Sequence, residues 1–120
     1  MNTKKNESII QLPAGKRYEY FIRKTADFQQ IWSLRNAEGW LLLGGNTNAK
    51  LIPLWPERIF AEYCNRVNKT ECQAESIGLN DFLSKMSKIL IRDNIQLAVF
   101  PNQNMSAPIR DRKSLSRSYR

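Results

Sequence analysis

The groups with which this 120-residue chain could do chemistry are 11 acidic and 19 basic side chains and two cysteines, with no histidine. The missing imidazole removes the commonest general base near neutral pH. The carboxylates Glu19, Asp27, Glu38, Glu57, Glu62, Asp81 and Asp93 show no spacing that favours acid–base work over a solvated helix face. Serines lack a histidine partner, and no G-x-S-x-G elbow occurs. Cys64 and Cys72 are too few for a structural zinc site, which needs about four ligands. Cys64 falls on the buried stripe of an expected helix, where a thiol behaves as a small hydrophobe. A disulfide with Cys72 fits the spacing but not a reducing compartment. As a nucleophile, Cys64 would need exposure and a nearby base. Gly44-Gly45-Asn46 lacks the lysine of a phosphate-binding loop and reads as a hairpin turn. No catalytic residue, metal or cofactor is assigned, and the chain is not expected to be an enzyme.

The charge is uneven. The formal net charge is +8, and Ala107–Arg120 carries half of it, with Arg110, Arg112, Lys113, Arg117 and Arg120 set against Asp111. These cations, with Tyr119, form a candidate nucleic-acid or anion site, the cations on phosphates and the ring stacked on a base. An acidic protein or an anionic lipid surface would meet the same charges. Ser114, Ser116 and Ser118 would let phosphorylation weaken any of these contacts. The plain alternative is a solvated, disordered end.

The elements that must position these groups are read from periodicity. Residues 1–12 read as a polar leader. A helix is expected over about Pro13–Thr25, with Pro13 in the first turn and Tyr18, Phe21, Ile22 and Thr25 facing inward. Lys16, Arg17, Arg23 and Lys24 fall largely outside that face. Three strands come next. Ile31–Arg35 turns through Asn36–Gly39 into Trp40–Leu43, which is too apolar for a half-exposed strand and is expected to be central. Gly44–Asn48 is a second turn. Ala49–Leu54 is the third strand, and Pro53 marks it as an edge or a strand exit. Trp55-Pro56-Glu57 opens a second helix with a stripe of Ile59, Phe60, Tyr63, Cys64 and Val67. A short strand falls near Gln73–Ile77. A third helix over about Leu79–Asp93 carries Leu79, Phe82, Leu83, Met86, Ile89 and Leu90 at helical spacing. Ile95–Phe100 is a last buried strand, and the sequence after Asn102 lacks periodicity.

Several of these segments together resemble a bacterial family known as domain of unknown function 2750. They are Arg17–Ile22 (RYEYFI), Trp32 with Leu34, Gly39-Trp40, Ile52–Pro56 (IPLWP), Ala61 and Cys64, Ser76-Ile77, Leu79, Phe82-Leu83 and Ala98–Pro101 (AVFP). The resemblance covers about Lys16–Pro101 and implies a small α+β sandwich; the family supplies no function. Gly78 stands where a serine cap is expected, a usable but weaker cap. Past Pro101 the family usually continues with a less basic segment, so the Arg/Ser stretch is a departure from the family pattern, and a function tied to it is not expected to be a family trait.

The fold class expected is therefore α+β: a small single-domain sandwich with a mixed or antiparallel sheet of about 4–5 strands and three helices. The organisation is a leader (1–12), one globular domain (13–101) and a basic, flexible tail (102–120). The apolar run Trp40–Leu43, which no other run exceeds, is far short of the roughly 18 residues of a membrane span. With no signal-like N-terminus, a cytoplasmic location is expected. The tryptophans and Phe100 either line a cleft or fill the core. Trp55, Glu57 and Arg58 are the candidate binding residues. The function expected is a non-catalytic protein-binding module with an unidentified protein partner. The alternative is a nucleic-acid-binding accessory protein acting through the basic tail.

Overall fold

The computed structural model describes residues 3–44 and 50–119. Helix α1 (Lys4–Ile10) begins where Thr3 Oγ1 accepts the Asn6 N–H at 3.1 Å, and it buries Ile9 and Ile10. The expected polar leader is thus an amphipathic turn that seals the core. Helix α2 (Ala14–Phe28) starts after Pro13 and runs one turn past the expected end. Gln29 stops it in the left-handed region (φ 56°), donating its N–H to Thr25 O at 2.8 Å. The buried face of α2 is Arg17, Tyr20, Phe21 and Thr25. Arg17, expected outside, is one of its four buried residues.

Strands β1 (Gln30–Asn36) and β2 (Gly39–Trp40) form a hairpin. Its turn is held by Asn36 Oδ1, which accepts the Glu38 N–H at 2.9 Å, and by Gly39 at φ 124°, a conformation that favours glycine. β3 (Leu43–Gly44) and β4 (Lys50–Leu54) come next. The turn expected at Gly44–Asn48 lies, Gly44 apart, outside the described residues. Helix α3 (Arg58–Asn68) buries Phe60, Ala61 and Cys64 and ends at Lys69 in the left-handed region. β5 (Gln73–Gly78) sits where the sequence places a short strand.

The third expected helix is one rod in three parts: α4 (Leu79–Asp81), a π-helical stretch (Phe82–Met86) and α5 (Ser87–Arg92). Gly78 caps it without a side-chain bond. A π turn inserts a residue and rotates the helix beyond it. The buried positions accordingly run Leu79, Phe82, Ser87 and Leu90, and Ile89, expected inside, is 48% exposed. β6 (Ile95–Val99), β7 (Ile109–Arg110) and helix α6 (Arg112–Arg117) complete the chain.

The strands form two sheets. One is antiparallel, in the order β2-β1-β5; the other is mixed, in the order β3-β4-β6-β7, with β4 and β6 parallel. They are stitched at one bridge, where Trp32 and Trp55 exchange backbone bonds of 2.9 and 2.8 Å. The α+β class stands, with two sheets in place of one and five helical bodies in place of three.

Two strand expectations change. Trp40–Leu43 is not central: β2 and β3 are edge strands of the two sheets, and the run crosses between them. β4 is interior despite Pro53. Among the described residues β3 pairs with β4 only at Lys50 and Leu51, so Pro53 lies beyond that ladder, and its carbonyl accepts Ser33 Oγ–H at 2.6 Å.

Candidate functional site

Trp55, Glu57 and Arg58 adjoin in sequence but meet three different environments. Trp55 is fully buried. Its indole Nε1–H donates to Pro101 O at 3.1 Å, and the Cys64 thiol reaches Asn102 O at 3.5 Å. Trp55 therefore joins the sheets and holds the 101–102 turn; it presents no surface to a partner. Glu57, half-buried, accepts the Tyr20 hydroxyl. Burial first, and then that carboxylate, raise the pKa of Tyr20. Arg58 is exposed, its guanidinium 4.9 Å from the Trp32 ring centre, within cation–π range. It borders an open polar hollow of about 530 Å³ beside Glu62, Asn65 and Arg66.

Chemistry at Cys64 is weak for a stated reason. Desolvation pushes its pKa up to about 12, against smaller opposing effects of a hydrogen bond with Trp55 and of the Arg17 charge. It is a thiol at neutral pH, and the thiolate is the nucleophile. Among the described residues, no three His, Cys, Asp or Glu side chains converge to hold a metal, and no helix is long and apolar enough to cross a membrane.

The segment expected to be a flexible tail is folded against α2. Leu115 is fully buried. Asp111 caps α6, its Oδ1 accepting the Ser114 N–H at 2.8 Å, and that bond holds the carboxyl below its ordinary pKa. Ser118 Oγ and Tyr18 Oη are 2.7 Å apart, and the Arg110 guanidinium lies 4.9 Å from the Tyr18 ring centre. Tyr119 Oη is 2.6 Å from Thr25 Oγ1, and burial pushes its pKa up to about 12. Tyr119 is a latch, which leaves it unsuited to stacking on a base. Arg112, Lys113 and Arg117 line a shallow hollow of about 350 Å³ with Ser116. Arg120 lies outside the described residues. The sequence could not show this docking, because six residues of helix hold one buried side chain and no periodicity.

One surface has no counterpart among the expected site residues. Trp40 and Leu42, from the run between β2 and β3, meet Met86 and Ile89 of the π-helical rod across a groove of about 260 Å³ floored by Ile52, Leu90 and Ile95. Glu38 and Asp93 also line it. Leu42 is 36% exposed. The sequence signal for this groove is the apolar run itself, which reads as central only if both its sides are covered. The π turn that turns Ile89 outward has no such signal.

No curated protein and no solved structure matches this chain. A family model does, over residues 18–118, a span that takes in β7 and α6 and so runs past the Lys16–Pro101 stretch of the resemblance. The chain belongs to the family described as Protein of unknown function (DUF2750).

Proposed function

We propose that this protein is a non-catalytic protein-binding module that seats an apolar segment of a partner protein in the groove between Trp40, Leu42, Met86 and Ile89. The observation that supports this reading is the position of the Trp40–Leu43 run. Its apolar side chains cross between two edge strands and stay partly exposed, and Ile89 and Ile91 of α5 are exposed on the rod that flanks them. Apolar surface gathered at a concave place favours a partner over water.

The groove's size and charge narrow the occupant. At about 260 Å³ it is below the roughly 300–1,000 Å³ of small-molecule pockets and suits the side chains of a short protein segment. Glu38 and Asp93 line it beside the apolar residues; Arg92 already pairs with Asp93, so it is Glu38 that favours a basic residue flanking the partner's apolar ones.

The test is to purify the tagged chain with its stoichiometric partner after nuclease treatment, then measure the purified partner against wild type and Ile89→Asp. Ile89 is half-exposed, so the variant should keep its melting temperature, changing stability by about 0.5 kcal/mol or less. Losing one buried isoleucine contact, about 1.5–3 kcal/mol, should weaken the complex roughly 10- to 100-fold. Equal affinity for both proteins would remove the groove from the interface.

A further inference from the structure

We propose that the folded C-terminal face, Arg110 with Arg112, Lys113 and Arg117, binds the phosphate backbone of duplex nucleic acid without reading its sequence. Arg112, Lys113 and Arg117 line one hollow, and Arg110 lies over the ring of Tyr18, which meets Ser118 at the end of α6. Among the described residues none of these cations has a carboxylate within salt-bridge distance. The one acid among them, Asp111, accepts from the Ser114 N–H as the helix cap. The hollow between Arg112, Lys113, Ser116 and Arg117 has no apolar side chain in its lining. Cations and a hydroxyl around an open hollow suit a phosphate oxygen better than an apolar acyl or peptide surface.

One further feature favours the duplex. The two rings packed into this face are engaged: Tyr119 with Thr25, and Tyr18 with Ser118 and Arg110. That leaves neither of them free for stacking on single-stranded bases. Because Leu115 and the Tyr119 latch already fix this face, little ordering entropy opposes binding.

The experiment uses the full chain and a fluorescein-labelled 20-base-pair DNA, read by anisotropy between 50 and 200 mM NaCl. With three to four phosphate contacts, affinity should fall about 100-fold over that range. Lys113→Glu with Arg117→Glu, both exposed, should bind at least tenfold more weakly at 50 mM and show a shallower salt slope, while circular dichroism stays that of wild type. An unrelated duplex of equal length should bind equally, and Ile89→Asp should bind the duplex as wild type does, which separates this face from the partner groove. Salt-independent binding, an unaffected double variant, or binding to phosphatidylserine vesicles or polyglutamate with none to DNA would each overturn the proposal.

Discussion

Arg17 and Arg117 make opposite use of the same guanidinium. Arg17 is 5% exposed, and its nitrogens donate to Phe100 O at 2.9 Å, Leu12 O at 2.6 Å and Ser106 O at 3.1 Å. Arg117 is exposed and, among the described residues, reaches only Lys113 O, one turn back, at 3.4 Å. The first ties three distant segments: the linker after α1, the end of β6 and the turn before β7. Phe100 and Met105, which begin and nearly end that stretch, both hold positive φ, 55° and 58°, a conformation that needs outside support in a non-glycine residue. Burial lowers the pKa of Arg17, but a guanidinium stays charged in proteins. Arg17 is thus a structural cation and the α6 cations are surface cations, and substitution should separate them.

The largest expected effect is Arg17→Met. It keeps a similar apolar stem but takes the Arg17 donors from Phe100 O and Leu12 O, while Ser106 O keeps the Asn102 N–H at 3.0 Å. Each unmet buried acceptor costs about 1–3 kcal/mol, and with partial access to water the total should be about 4 kcal/mol, read from the urea midpoint at constant m-value. Arg17→Lys should recover only part of this, since an ammonium cannot reproduce the planar fork. Arg117→Met should leave stability unchanged within about 0.5 kcal/mol. Similar losses at both positions would erase the distinction.

Leu115→Ala is next. Leu115 is the fully buried residue of α6. If the helix is docked, truncation should cost about 3 kcal/mol, as for other buried leucines. If residues 102–119 were a loose tail, the substitution would be silent in a denaturant titration. It therefore decides whether the cationic face is a built surface or charge carried on a mobile end.

What can be read from the sequence divides along the same line. The hairpin at Asn36–Gly39, the Ile59–Cys64 part of the α3 stripe and the short strand at Gln73–Ile77 depend on local spacing, and the fold keeps them, while Val67 at the end of that stripe is exposed. Periodicity misplaces Arg17 because its partners Phe100 and Ser106 are 83 and 89 residues away; helical spacing holds no information about them. It misplaces Ile89 because the π turn changes the period inside the rod. Trp55 is the strongest sequence signal and proves structural, since a Trp-Pro before a helix marks a junction as readily as a site. The partner groove is half visible, as an apolar run with nowhere to be buried once both neighbouring strands are edges.

The smallest effect concerns the latch of the same C-terminal segment. Tyr119→Phe removes the hydroxyl that lies 2.6 Å from Thr25 Oγ1 and should cost about 1 kcal/mol at neutral pH. Its pH dependence is more informative than its size. In the folded chain the phenol's pKa is raised from 10 to about 12, chiefly by burial. A raised folded pKa gives stability that is whole below the unfolded value and is lost as pH climbs through the folded one. Wild type should therefore lose stability between pH 10 and about 12 in a way the phenylalanine variant does not. The gap between the two should close and then reverse across that window, because the raised folded pKa is worth more than the bond's ~1 kcal/mol. Cys64, whose pKa is raised from 9 to about 12 by its own burial, titrates in both proteins and cancels from the difference, as does Tyr20. Paired denaturant titrations at about pH 8, 10 and 11.5, spanning both ends of the linkage window, would read the gap directly. A gap that stayed constant would mean that Tyr119 ionises as freely in the folded chain as in the unfolded one, and the α6 segment would then lie open to water instead of sealed against α2.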